Sequence, residues 1–215
     1  IVNLNTFSCG LADAPDLKNA KTVAEQLGTI HHERIFTEDE ILKRLPDIIY
    51  SLESFDFALV RSAIPNYFVS ELAAKYVKVV LTGEGSDELF AGYQYLKSLP
   101  DAKNLHEELV RITSELHYLN LQRVDRMTMA HSIEGRVPFL DNEMIALGLS
   151  LPVHLKNYEG IEKYLLRKAF ESHLSSEIIW RKKLKFSEGT NSSETLKNIA
   201  EREITDKEFE IAKNK

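Results

Sequence analysis

The stretch Val77-Lys-Val-Val-Leu-Thr-Gly-Glu-Gly-Ser-Asp-Glu-Leu-Phe-Ala-Gly-Tyr93 decides how the chain is read. Residues 77–82 are few and rich in β-branched side chains, which reads as a buried strand rather than a helix. Gly83 and Gly85 then break the strand, and Ser86 or Asp87 can cap a following helix. A strand that ends in a glycine turn and hands over to a helix is where open parallel sheets place their ligands. Upstream, residues 1–9 and 30–36 read as further short strands. Between them a helix starts at Asp16, aligns Leu17, Ala20, Ala24 and Leu27 on one face, and stops at Gly28. Thr37 with Glu40 forms a capping-box pattern that opens a second helix through Glu53, which Pro46 can kink. A third helix is expected after Pro65. Strands alternating with helices imply an α/β architecture with a parallel sheet flanked by helices.

Downstream the pattern changes. Leu105, Leu109, Ile112, Leu116 and Leu119 recur at helical spacing, and no strand candidate follows them. Shorter helices are expected from Asp141, near Glu159 and near Ser176. Residues 187–193 form a polar stretch expected to be a mobile loop, and a charged helical tail runs from Glu194. The expected organisation is a single domain over 1–215, with an α/β nucleotide-binding half at 1–100 and a mainly helical half at 101–215.

Composition narrows the function classes. Of 215 residues, 43% are hydrophobic, enough for a sizeable core, yet no apolar run nears the ~20 residues that span a bilayer. Asp and Glu outnumber Lys and Arg by 33 to 27, so no basic surface is expected for a phosphate backbone. Neither nucleic acid nor membrane is expected as a partner, and a cytoplasmic location is expected. Cys9 is the single cysteine, which rules out an internal disulfide. Oligomeric state is not legible, and a homodimer stays open.

The turn at 83–88 carries the chemistry. Its two glycines let a ligand approach the backbone closely, while Glu84, Asp87 and Glu88 would repel a nucleotide unless Mg2+ intervened. On these residues alone, a nucleotide site and an acidic loop with a helix cap both remain open. His31 and His32 are adjacent on an expected strand, point to opposite faces, and so cannot share a metal there. No zinc spacing occurs, and Cys9 has no His and Asn partners that would make a thiol hydrolase.

Residues 82–93 together with Glu134-Gly-Arg-Val-Pro-Phe-Leu-Asp141 closely resemble two signatures of the glutamine-hydrolysing asparagine synthetase family. Residues 10–17, 27–33 and Trp180-Arg-Lys-Lys-Leu-Lys-Phe-Ser187 agree in order and spacing, so the resemblance covers essentially the whole chain. It implies an ATP pyrophosphatase fold of the adenine nucleotide alpha hydrolase-like type. It also implies a C–N ligase in which ATP adenylates the side-chain carboxylate of aspartate and ammonia, released from glutamine, displaces AMP to yield asparagine. The cofactors implied are ATP and Mg2+.

Carried over position by position, the resemblance places Cys9 against adenine as a packing residue and gives Thr82 and Gly83 backbone contacts to the nucleotide. Glu84 matches an acidic position tied to formation of the aspartyl-adenylate, and Asp87 a Mg2+ ligand. Tyr93 with Glu134 resembles a Tyr and Glu pair at the reacting centre of related enzymes. Lys183 matches a catalytic lysine on a late loop, in the pattern Arg181-x-Lys183-x-x-Phe186. A fixed ammonium there would stabilise charge that builds on the α-phosphate. Arg61 and Arg123, with Arg126 and Arg136, are candidates for holding carboxylates or phosphates. The plainer readings are a packed tyrosine, a solvated basic cluster at 181–185 and structural ion pairs.

Two family features are not found in residues 1–215: the Ser-Gly-Gly-x-Asp-Ser loop that receives pyrophosphate, and the glutaminase domain with its amino-terminal cysteine. The expectation is a piece of a longer protein that is inactive alone, since losing a central strand leaves backbone unpaired on both neighbours. A sibling amidotransferase or β-lactam synthetase-like enzyme that adenylates another carboxylate is the main rival. A noncatalytic nucleotide-binding module is the second, and a tRNA-modifying relative is disfavoured by the net charge of -6.

Overall fold

A computed structural model describes residues 3–99 and 101–213. Strands β1 (Asn5–Gly10) and β2 (Ile30–Ile35) pair in parallel, Asn5 opposite Ile30 and Gly10 opposite Ile35. Helix α1 (Pro15–Leu27) connects them and ends where Gly28 adopts φ 63°. The first strand was expected over 1–9; residues 1–2 lie outside the described residues, and pairing runs on to Gly10. Thr37 starts α2 (Glu38–Leu52) through a full capping box with Glu40, and Pro46 lies inside the helix.

Helix α3 (Phe57–Ala73) corrects the expectation of a start after Pro65. Asp56 caps it, accepting the Leu59 N–H at 2.8 Å, and Pro65 sits mid-helix. Proline removes the N–H that would have bonded the Arg61 carbonyl. That carbonyl accepts the Ser192 hydroxyl at 3.3 Å instead, so a tertiary contact supplies what the local chain lacks. Leu59, Ala63, Ile64 and Phe68 are buried together with Asn66 and Ser70, as befits a helix covered on most sides.

The expected continuous sheet is also corrected. Among the described residues, β3 (Val79–Leu81) pairs in parallel with β4 (Glu134–Arg136) as a separate two-stranded sheet. β3 is not buried: Leu81 is 72% exposed. β4 overturns the absence of strands after Leu105. Glu-Gly-Arg has poor strand propensity, but the ladder offered by β3 recruits it, with Glu134 N–H on Lys78 O at 2.9 Å and Thr82 N–H on Arg136 O at 2.8 Å. Helices α4 (Ser86–Leu89), α5 (Ala102–Ser114), α6 (Asn120–Met129), α7 (Asn142–Ser150) and α8 (Val153–Lys156) follow in chain order. Asp141 caps α7 as expected.

Near Glu159 the expected helix is an antiparallel hairpin, β5 (Asn157–Tyr158) to β6 (Ile161–Glu162). Glu159 and Gly160 both have positive φ, 50° and 81°, as a two-residue type I′ turn requires. Then come α9 (Tyr164–Ala169), α10 (Ser176–Ile179), α11 (Phe186–Gly189), α12 (Ser192–Glu203) and α13 (Asp206–Lys213). Residues 187–193 are not a loose loop. Thr190 and Ser192 are fully buried, and the Thr190 carbonyl accepts the Leu11 N–H at 3.1 Å.

One core joins Phe36, Ile41, Ile48, Leu52 and α3 to Met127 of α6 and Leu196 and Ile199 of α12, so it draws on both expected halves. A second packs Ala91 and Leu96 against Leu105, Leu109 and Ile112 of α5. No helix among the described residues is long and apolar enough to cross a membrane.

Candidate functional site

A cleft of about 620 Å³ is lined by β1, β2, α1, α3, the end of β3 with its turn, and the 178–186 segment. On the first wall the strand alternation works as expected. His31 faces the cleft, held between Thr6 Oγ1 and Ser8 Oγ at 3.0 Å each. His32 lies between Phe7 and Tyr76, stacked on the latter at 3.7 Å between ring centroids. Burial lowers the His31 pKa, so the ring favours its neutral form.

The glycine turn sets the opposite edge. At Gly83, a Cβ would meet nothing within 4 Å, so its bare face opens on the cleft rather than on packed protein. At Gly85, with φ 92°, a Cβ would lie 2.4 Å from Leu140 Cδ2, so this glycine lets the turn seat against the 134–141 segment. Neither Ser86 nor Asp87 caps α4 with its side chain, contrary to expectation. Gly85 occupies the cap position and the Ser86 hydroxyl folds back onto Gly83 O at 2.8 Å.

Charge is concentrated beside this turn. Glu84 lines the cleft and is ion-paired with Arg123 of α6, whose side chain is 7% exposed. Asp87 is ion-paired with Lys163 Nζ at 3.0 Å on one oxygen and with Lys183 Nζ at 3.3 Å on the other. Lys163 Nζ also reaches Ser86 Oγ at 2.8 Å. Burial pushes the Lys163 pKa down, Asp87 opposes the shift, and Lys183 adds to it. Its backbone is left-handed, φ 54°, and its N–H bonds Phe90 O at 3.1 Å, an unfavourable conformation held by its surroundings.

Lys163 was missed from sequence because nothing around it has a recognisable pattern. The available signal was the Glu159-Gly160 pair, which marks a hairpin, but the flanking strands are two residues each and too short to alternate. Arg181 entered the sequence reading as the first position of the Lys183 pattern and as part of a basic cluster, with no role of its own. It lines the cleft and pairs with Asp16 at 3.2 Å.

The other expected site residues divide into two groups. Cys9 lines the cleft at 2% exposure and donates to Pro65 O at 3.1 Å; burial raises its pKa and keeps it a thiol. Thr82 lines the cleft beside Gly83. Tyr93, Glu134, Arg61 and Arg123 are not among the lining residues. The Tyr93 hydroxyl donates to Glu88, a 2%-exposed carboxyl whose pKa burial raises despite that bond. Glu134 is exposed and pairs with Arg136 at 2.8 Å, and Arg61 lies over the Phe57 ring.

No group of three or more His, Cys, Asp or Glu among the described residues could hold a metal. Asp87 offers one carboxylate between two ammonium groups. Both Asp87 oxygens are ion-paired with ammonium groups, so this chain alone does not cage a metal; a single carboxylate would serve Mg2+ arriving on nucleotide phosphates, which commonly uses one or two carboxylates.

The family model for asparagine synthase matches residues 2–102 and 97–213. The chain is 42% identical, over 96% of its length, to a probable asparagine synthetase (glutamine-hydrolyzing) of Dictyostelium discoideum. It is 40% identical, over 98% of its length, to asparagine synthetase B (glutamine-hydrolyzing) of Escherichia coli. With asparagine synthetase (glutamine-hydrolyzing) 1 of Saccharomyces cerevisiae it shares 42% identity over 96% of its length. It covers 40%, 39% and 39% of these three proteins, respectively.

Proposed function

The chain belongs to the asparagine synthase family, and from that premise we propose that it forms the synthetase part of an enzyme converting aspartate to asparagine with ATP. The fold assigned with this reading is the ATP pyrophosphatase type. The observation that carries it is the pairing of Lys163 and Lys183 with Asp87, which lines the cleft together with Lys183, Cys9, Thr82 and Gly83.

In this reading Cys9 supplies a flat apolar edge for adenine, and the open face of Gly83 leaves room for the nucleotide against the backbone. The aspartate side-chain carboxylate attacks the α-phosphorus of ATP. The bond to the β-phosphate oxygen breaks, pyrophosphate leaves, and β-aspartyl-AMP forms. Ammonia, released from glutamine, then attacks the acyl carbon, loses a proton and expels AMP. Lys183 stabilises the charge that grows on the α-phosphate, a preorganised donor that gains most in the transition state. Asp87 would hold Mg2+ arriving with ATP, and the ion would supply neutralisation of phosphate charge. Glu84 is tied to the adenylate step, and Arg123, paired with it, orients its carboxylate. Tyr93, Glu134 and Arg61 lie off the cleft in this arrangement, and they are assigned a supporting place rather than contact with substrate.

The test uses the full-length protein with Mg-ATP. AMP and pyrophosphate should form with aspartate, and asparagine should appear when ammonia or glutamine is added. Equal AMP formation with and without aspartate would refute the assignment.

A further inference from the structure

Outside the cleft, a buried ionic knot surrounds Glu162 at the end of β6. Arg167 of α9 commits its whole guanidinium there. Nε donates to Glu162 O at 2.8 Å and Nη2 to Glu162 Oε1 at 2.6 Å. Nη1 donates to Ile179 O and, at 3.0 Å, to Arg181 O. Lys97 Nζ closes the other Glu162 oxygen at 2.8 Å. The Arg167 and Glu162 side chains are 13% and 7% exposed. Burial works against the Glu162 charge, but Lys97 and Arg167 outweigh it and hold the carboxyl below its usual range.

The two segments that Arg167 grips are those from which the lysines facing Asp87 depart. Lys163 directly follows Glu162, and Lys183 stands two residues after Arg181. Residues 181–185 belong to no helix or strand, so no backbone ladder fixes them. The other side-chain tie of Arg181 is weaker: its pair with Asp16 is partly exposed, 39% and 24%, and open to solvent screening. Charge-assisted guanidinium bonds to two carbonyls, from a side chain only 13% exposed, are the stronger restraint.

We propose that Arg167 is a positioning residue: its guanidinium is the strut that holds the Lys163 and Lys183 segments at a fixed separation, so that both ammonium groups meet at Asp87. The strut itself needs only the contacts above; its effect on rate rests on the proposed role of Lys183. A lysine at 167 keeps the charge but cannot present the planar fork that joins Glu162 to both carbonyls.

The experiment compares parent, Arg167→Lys and Lys183→Ala in the full-length protein by amide hydrogen exchange and by single-turnover pyrophosphate release with aspartate and Mg-ATP. Arg167→Lys should raise exchange across 179–185 by on the order of tenfold while leaving α3 at parental rates. Pyrophosphate release should fall by about 10 to 100-fold with little change in KM for ATP, because a displaced catalytic group costs rate more than binding. In Arg167→Ala, added guanidinium should restore part of the rate. Unchanged exchange across 179–185 in Arg167→Lys overturns the strut. Parental release in Arg167→Lys beside a slow Lys183→Ala also overturns it. Raised exchange in Arg167→Lys, with parental release in both variants, leaves the strut standing and refutes the role of Lys183.

Discussion

The two walls of the cleft are held in place by different interactions. The wall of β1, α1, β2 and α3, backed by α2, is set by a parallel ladder, a capping box at Thr37 that starts α2, an Asp56 cap and a glycine stop at Gly28. The wall of residues 157–192 contains helices of four to six residues, and long-range side-chain bonds place it: Arg167 to Ile179 O and Arg181 O, Ser192 to Arg61 O, Arg181 to Asp16. The lysines that face Asp87 both stand on this second wall. A backbone ladder spreads restraint over many bonds, whereas a group held by a few side chains can be displaced by one substitution. Rate should therefore be sensitive on the irregular wall, and stability on the regular one.

The largest effect expected of this contrast is at Lys183. Lys183→Ala should slow single-turnover pyrophosphate release by about 100 to 1,000-fold, the usual cost of one preorganised donor. Lys182→Ala and Lys185→Ala should stay within about threefold if solvent screens their charges. Three equal losses would mean a diffuse basic face and would erase the distinction between the walls. Next comes Gly92, whose added Cβ would lie 1.9 Å from Asp87 Oδ1 and 2.5 Å from Lys163 Cε. Gly92→Ala should part these two groups and cost roughly 10 to 100-fold in the same assay. A parental rate would show that Asp87 can relax without consequence.

Smaller effects concern stability. Lys156, at the end of α8, is fully buried, and its Nζ has no hydrogen-bond partner among the described residues. Burial lowers its pKa from 10.5 to about 8. Between those values the unfolded chain holds the proton and the folded chain does not, so stability should rise as pH increases from about 8 towards 10.5. Lys156→Met should raise stability near neutral pH by about 1–2 kcal/mol, relieving a buried unpaired donor, and should flatten that rise. Urea titrations at neutral and alkaline pH read both effects, and an identical pH slope in parent and variant would contradict them. The smallest effect tests the regular wall: Thr37→Ala should cost about 1 kcal/mol in the same titration and leave pyrophosphate release unchanged. A rate loss there would show that the first wall is not merely a scaffold.

The legible parts of the fold share a physical property. The helix stop at Gly28, the Thr37 box, the Asp141 cap and the opposite faces of His31 and His32 all depend on residues within a turn of one another or on strand alternation. The cleft edge at Thr82 and Gly83 was legible for a similar reason, since a β-branched run followed by glycines marks a strand end. Helix α3 was misplaced because proline ends helices in isolation, and a residue far along the chain, Ser192, supplies the missing partner for Arg61 O. The 187–193 stretch looked mobile because its residues are small and polar, yet those residues fit a buried seat where Gly189 lies directly against Asp16.

Sequence by itself thus determined the local chemistry: which residues start and stop helices, which strand ends in an open glycine turn, and that acidic residues cluster there. Tertiary structure alone decided that Glu134–Arg136 pairs with Val79–Leu81, that Glu88 turns inward to Tyr93 while Asp87 takes two lysines, and that Lys163 is one of them. The reason is physical. Caps, turns and strand alternation are energies of near neighbours, readable residue by residue, whereas a buried charge or an orphaned carbonyl is settled by whichever distant group the packed chain delivers to it.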